Sequence, residues 1–112
     1  MKPAPIQDAK DCQTMAELRA QIDRLDRELV ALLVQRAGYI DRAVELKPGE
    51  KLPARIGPRV DEVLANVRAV AVAGGLDPQL TEDLWRRIIE WSIAREERVL
   101  GPSDPNQQDQ QQ

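Results

Sequence analysis

The sequence contains no histidine, no phenylalanine and a single cysteine, Cys12. Without histidine, the chain lacks the most common general base and metal ligand, and it cannot form a Ser-His or Cys-His nucleophile pair. A lone cysteine excludes an intrachain disulfide and a cysteine-based metal site. We therefore expect no bound metal and no cofactor.

An excess of positive charge and long apolar runs are also missing. The net charge of −3 argues against a general nucleic-acid or membrane surface, so any basic site must be local. The N-terminal segment MKPAPIQDAK has no apolar core typical of a signal peptide, and no run approaches the roughly 18 apolar residues of a membrane span. The sequence therefore predicts a cytoplasmic protein without nucleic-acid or membrane partners.

What is present fits one small α-helical domain with an aliphatic core. The 112 residues are 42% hydrophobic and 31% charged, with two Trp and one Tyr as the only aromatic residues. Trp85 and Trp91 are expected to pack in the core or in an interface. We expect a flexible, polar lead-in at residues 1–11, a helical domain at residues 12–100, and a disordered, Gln-rich tail at residues 101–112.

Helix-start and helix-stop residues divide the domain into three predicted helices. They run from about Thr14 to Leu46, from about Arg59 to Ala73, and from Pro78 to about Leu100. No strand alternation is found, so the predicted class is all-α. The first helix would be about 50 Å long at 1.5 Å per residue. Because a single small globule cannot cover such a rod, we expect its apolar stripe to pack partly against another chain.

Two cations interrupt that apolar stripe. At about 100° per residue, Arg36 and Lys47 fall in its middle and Arg19 on its flank. The stripe itself consists of Leu18, Ile22, Leu25, Leu29, Leu32, Leu33, Ile40 and Ala43. A buried cation without a partner is very costly, so these positions need either an internal carboxylate or an anionic ligand.

The other two helices carry similar polar groups. Ser92 and Glu96 fall on the apolar side of the third helix, and Arg59 directly precedes the first apolar position of the second. A purely structural interpretation stays open at this point. Arg36 would then pair with Glu96 in a buried bridge that sets helix register, and Lys47 would extend its ammonium to solvent from the helix end.

Helix geometry also bears on assembly. Arg19 and Arg36 are 17 residues apart, or about 25 Å along one helix. No small ligand can contact both of them in one chain. If both bind the same molecule, they must come from different subunits.

The residue pattern resembles the all-helical chorismate mutase family, in particular the branch that contains the isochorismate-pyruvate lyases. The resemblance lies in LRAQIDRLDRELVALLVQR (residues 18–36), in Lys47 and Arg59 at their spacing, and in IIEWSIAREE (residues 88–97). It covers about residues 11–100 without gaps. It implies an intertwined homodimer of three-helix chains in which the long first helices pack together.

The resemblance also implies roles for individual residues toward a dicarboxylate substrate. Arg19 would bind a carboxylate across the dimer interface, and Arg36 would bind one within its own chain. Lys47 would donate to the ether oxygen, Arg59 would close the loop over the substrate, and Ser92 would line the pocket. Position 96, where Glu96 stands in place of the commoner Gln, would face the ether oxygen from the other side.

The implied reaction is the pericyclic rearrangement of chorismate to prephenate, which needs no nucleophile and no proton transfer. Three departures resemble the lyase branch instead: Val60 where mutases often carry Glu, Ile56 where some carry Asp, and the lead-in with Asp11 and Cys12. Conversion of isochorismate to salicylate and pyruvate is therefore the alternative on the same site. A non-catalytic helical dimer module is the second alternative.

Overall fold

The computed structural model describes residues 5–103, and all regular structure in this range is helical. The helices are α1 (Met15–Leu46), α2 (Gly57–Gly74) and α3 (Pro78–Leu100), with short 3-10 turns at Ala9–Asp11 and Pro48–Glu50. The predicted all-α class and the three-helix order are confirmed. None of the helices in this part of the chain is long and apolar enough to cross a membrane.

Side-chain and glycine caps set the helix ends. The Glu17 N–H donates to Thr14 Oγ1 at 3.1 Å, as expected for a helix that starts after Thr14. Asp77 Oδ1 accepts from the Gln79 N–H at 2.9 Å and caps α3. Gly75 ends α2 with a left-handed φ of 79°. The second helix begins two residues earlier than predicted, because Pro58 stands in its first turn and fits a helix start.

The chain divides into two compact units, which are described separately. The first comprises Met1–Gly38, of which residues 5–38 are described. Its lead-in is hydrogen-bonded, since the Gln7 N–H donates to Gln21 Oε1 at 3.0 Å. Within the described chain, no residue of α1 is buried. Four leucines of its stripe keep between 43% and 59% of their surface exposed: Leu25, Leu29, Leu32 and Leu33.

The second unit, Tyr39–Gln112, contains the core. Helices α2 and α3 pack together around Ala54, Leu64, Ile89 and Ile93. Val60, Val63, Trp85 and Leu100 pack against this cluster. The core is thus mainly aliphatic, as predicted, and Trp85 borders it, whereas Trp91 is exposed. Most of the predicted tail, residues 104–112, lies outside the described residues, as do residues 1–4 of the predicted lead-in.

Candidate active site

Lys47 and Glu96 form an ion pair inside the second unit. Lys47 directly follows α1, and its backbone N–H still bonds to the Ala43 carbonyl at 2.8 Å, so the helical path carries its side chain inward. Lys47 Nζ lies 2.7 Å from Glu96 Oε1, and the two side chains are 16% and 5% exposed. The ammonium also donates to the Ala54 carbonyl at 2.8 Å. Lys47 therefore does not extend to solvent, and the carboxylate beside it is that of Glu96.

The contact between Lys47 and Glu96 joins two opposite charges. Glu96 is buried, and its Oε1 lies only 2.7 Å from Lys47 Nζ. We interpret the contact as an ion pair, because attraction between charges depends on distance more than on direction. The Ala54 carbonyl is therefore the group that fixes the direction of the ammonium.

Ser92 lies one turn before Glu96 on the same face of α3. It is buried, and its hydroxyl donates to the Ile88 carbonyl at 2.8 Å. Such a bond to the preceding turn is common for serine within a helix. The burial of Ser92 and Glu96 confirms that both residues face inward.

The three predicted arginines lie on two different helices, Arg59 on α2 and the other two on α1. Arg59 stands in the first turn of α2, where its side chain is 63% exposed and pairs with Glu62. Arg19 and Arg36 lie on α1 in the first unit, Arg19 exposed and Arg36 half-buried. The second unit thus brings Lys47 and Glu96 into contact with Ser92 nearby, while Arg59 does not point inward in this chain.

A bidentate ion pair holds the loop that supplies the Ala54 carbonyl. The Arg55 guanidinium donates to both carboxylate oxygens of Glu90 on α3, at 2.9 and 2.5 Å. The pKa of Glu90 is held below its usual range by these bonds. Sequence reasoning missed this pair, since a residue separation of 35 leaves no helical spacing to reveal it.

A second bidentate pair ties the end of α1 to α3. Arg95 donates to both oxygens of Asp41, at 2.6 and 3.0 Å, and its guanidinium lies 5.3 Å from the ring centre of Trp91. The hydrogen bonds from Arg95 hold the pKa of Asp41 below its usual range. Arg95 directly precedes Glu96 on α3. The pair therefore helps to hold the C-terminal end of α1, and with it Lys47, close to Glu96.

The arrangement can stabilise negative charge on an oxygen atom. It offers one inward ammonium in a largely buried position, where a fixed cation acts more strongly than in water. The neighbouring Ser92 hydroxyl has no adjacent imidazole to activate it, since the chain contains none. Among residues 5–103, no group of three Cys, Asp or Glu side chains is placed to hold a metal ion.

Comparison with known proteins gives this arrangement a context. The family model described as chorismate mutase type II matches residues 18–97. The chain is 35% identical over 88 residues to the isochorismate pyruvate lyase of Pseudomonas aeruginosa, covering 78% of this chain and 85% of that protein.

Two further relatives are much longer proteins. The T-protein of Enterobacter agglomerans is 35% identical over 82 residues, which is 73% of this chain and 22% of that protein. The bifunctional chorismate mutase/prephenate dehydratase of Aquifex aeolicus is 32% identical over 97 residues, or 80% of this chain and 27% of that protein. The chain thus spans about a quarter of the length of these two relatives.

Proposed function

The chain belongs to the type II chorismate mutase family, and on that basis we propose that it rearranges chorismate to prephenate. The observation that carries the proposal is the ammonium of Lys47. It is drawn inward, held by the Ala54 carbonyl and paired with Glu96 in a largely buried position. A lysine buried in this way contributes little to the surface charge of the protein, whereas its ammonium is suited to binding an anionic ligand.

The proposed role of Lys47 is electrostatic. When the ether bond of the bound dicarboxylate breaks, negative charge develops on the ether oxygen, and Lys47 donates a hydrogen bond to it. Arg19, Arg36 and Arg59 would bind and cover the substrate carboxylates, and Ser92 would line the pocket. Holding the substrate in a compact conformation then supplies the rest of the acceleration, so no nucleophile is required.

Glu96 would face the ether oxygen from the opposite side. An ionised carboxylate at this point would repel the developing charge, whereas a protonated carboxyl would donate a second hydrogen bond. In the structure, Glu96 lies against Lys47 and offsets its charge. We therefore propose that a neutral hydrogen-bond donor at position 96 supports catalysis better than an ionised carboxylate.

Isochorismate-pyruvate lyase activity is the second candidate, and one structural observation favours it. Val60, where mutases often carry a carboxylate for the substrate hydroxyl, packs against the core cluster. The chain therefore lacks that acidic group, as do members of the lyase branch. The similarity to the Pseudomonas aeruginosa lyase, which extends over 85% of that protein, points in the same direction.

We further propose that the active form is an intertwined homodimer. The exposed leucines of α1 form a continuous apolar stripe, which a second copy of the same helix would cover. In such a dimer Arg19 would reach the active site of the partner. Changing both Leu25 and Leu32 to Glu should produce monomers in analytical ultracentrifugation and abolish activity. A fully active monomer would contradict the dimer proposal.

One assay with two substrates tests the proposed function. Wild type and Lys47→Ala are supplied with chorismate or isochorismate, and prephenate, salicylate and pyruvate are measured. We expect prephenate from wild type and a loss of at least about a hundredfold in Lys47→Ala, as for removal of one preorganised donor. Salicylate as the dominant product would favour the lyase, and full activity of Lys47→Ala would rule out the site.

A dicarboxylate that resembles the transition state separates an enzyme from a helical interaction module. An enzyme should gain thermal stability from this ligand, and the gain should grow with the logarithm of the ligand concentration above the dissociation constant. A non-catalytic module should show no shift in melting temperature.

A further inference from the structure

The peptide group between Ala54 and Arg55 is hydrogen-bonded on both of its sides. Its carbonyl, from Ala54, accepts from Lys47 Nζ at 2.8 Å. Its N–H, from Arg55, donates to Ser103 Oγ at 2.8 Å. One planar unit thus connects the candidate catalytic ammonium with a residue just beyond the end of α3.

Ser103 is itself fixed relative to α3. Its N–H donates to Glu97 Oε2 at 3.0 Å, and the Gly101 N–H donates to the Glu97 carbonyl at 2.8 Å. Glu97 directly follows Glu96, whose carboxylate contacts Lys47. The position of the Ser103 hydroxyl is therefore fixed relative to the helix that carries Glu96.

A peptide group transmits orientation because it is rigid. The carbonyl and the N–H of one peptide lie in one plane and point in opposite directions, so fixing the N–H also fixes the carbonyl. Donation by the N–H further polarises the peptide and strengthens its carbonyl as an acceptor. Ala54 is buried, so water does not easily replace Lys47 as the partner of its carbonyl.

We propose that Ser103 is a positioning residue for Lys47, acting through the Ala54–Arg55 peptide. This role rests on the proposed function, in which Lys47 donates to the substrate. The ammonium has three N–H groups; Ala54 takes one and Glu96 lies against another, which leaves one for the ether oxygen. When the Ala54 carbonyl turns, the direction of that remaining N–H turns with it.

The Arg55 side chain does not replace Ser103 in this task. Its bidentate pair with Glu90 fixes the guanidinium at the end of a long side chain, whereas Ser103 binds the backbone N–H itself. Loss of the Ser103 hydroxyl would leave the loop in place but allow this peptide to rotate. We therefore expect a change in rate rather than unfolding.

The experiment compares three variants of the full chain. Ser103→Ala removes the acceptor, Ser103→Thr keeps a hydroxyl, and Thr14→Ala removes a helix-capping hydroxyl in the first unit as the matched control. For Ser103→Ala we expect kcat to fall about three- to tenfold, as for loss of one hydrogen bond, with KM changed less than about twofold. Ser103→Thr and Thr14→Ala should keep the wild-type kcat.

Two further measurements separate positioning from a general structural effect. In a Lys47→Ala background, Ser103→Ala should have no additional effect on kcat, because the group that it positions is gone. Hydrogen exchange at the Arg55 amide, which needs no substrate, should become about tenfold faster in Ser103→Ala and stay slow in Ser103→Thr.

The results of these measurements distinguish the positioning role of Ser103 from the proposed function. An unchanged kcat in Ser103→Ala, or equal fold-losses with and without Lys47, would overturn the positioning role while leaving the proposed function intact. An Arg55 amide that exchanges equally fast in wild type and in Ser103→Ala would overturn the contact itself. Wild type that turns over neither chorismate nor isochorismate would instead refute the proposed function, and the positioning role with it.

Discussion

Removing Lys47 and Glu96 separately and together should affect stability and rate in different ways. Lys47→Met keeps the length of the side chain but removes its charge, which leaves the Glu96 carboxylate, 5% exposed, without its cation. Breaking a buried ion pair in this way typically costs about 3–5 kcal/mol. Because the Lys47 side chain is 16% exposed and water reaches it, we expect the lower end, about 3 kcal/mol.

The double variant Lys47→Met with Glu96→Gln removes both charges and should recover most of the lost stability. Replacing a buried pair by hydrophobic residues of similar volume is often neutral or stabilising, but Gln keeps a polar amide, so we expect the double variant to stay about 1 kcal/mol below wild type. The rate should not recover, since the ether oxygen still lacks its donor. We expect kcat to stay about 100- to 1,000-fold below wild type in both variants.

Urea unfolding followed by circular dichroism gives the stability, and steady-state formation of prephenate gives the rate. Arg42→Met with Glu45→Gln is the matched control, an i,i+3 pair near the same end of α1 whose side chains are 62% and 63% exposed. It should change stability by less than about 1 kcal/mol and leave kcat unaltered. A double variant of Lys47 and Glu96 that regained both stability and rate would show that the pair merely sets helix register.

Two other predictions concern Glu96 and Asp41. Glu96→Gln should raise kcat, because the amide can donate to the ether oxygen without the negative charge that opposes it; a kcat below that of wild type in the prephenate assay would contradict this. Arg95 lowers the pKa of Asp41 in the folded chain. The pair therefore stabilises the folded chain at pH values above the unfolded pKa of Asp41, which is about 4. This stabilisation is lost as the pH falls through the lower pKa of the folded state. Asp41→Asn should therefore lose stability at neutral pH and show a shallower acid decline in urea unfolding, whereas Asp23→Asn, at an exposed position of α1, should follow wild type.

Helical periodicity predicted the inward-facing residues of α3 because burial there follows directly from the apolar stripe. Ser92 and Glu96 are buried as expected. The partner of Glu96 could not be predicted in the same way, since the periodicity left both Arg36 and Lys47 as candidates. The structure pairs Glu96 with Lys47, whose position after the last turn of α1 depends on Pro48 ending that helix.

Periodicity does not predict the orientation of Arg59. In the first turn of a helix few neighbouring residues constrain a long side chain, and Glu62 stands three residues later on the same side. The local pair therefore decides its orientation in this chain. The Ala54 carbonyl was beyond sequence reasoning for a different reason, because every residue carries a carbonyl and only the fold selects the one that meets Lys47.

The two neighbours of Lys47 have different consequences for catalysis. Glu96 offsets the charge of the ammonium, but when the substrate arrives its ionised form competes with the ether oxygen for the same cation. The Ala54 carbonyl is uncharged and occupies a different N–H of the ammonium, so it does not compete with the ether oxygen. It can therefore hold the ammonium before, during and after the reaction. The direction of the Lys47 side chain should therefore depend mainly on the loop peptide, and its effective charge mainly on the charge at position 96. We therefore expect Glu96→Gln to change the electrostatic stabilisation of the ether oxygen and Ser103→Ala to change the alignment of the donor.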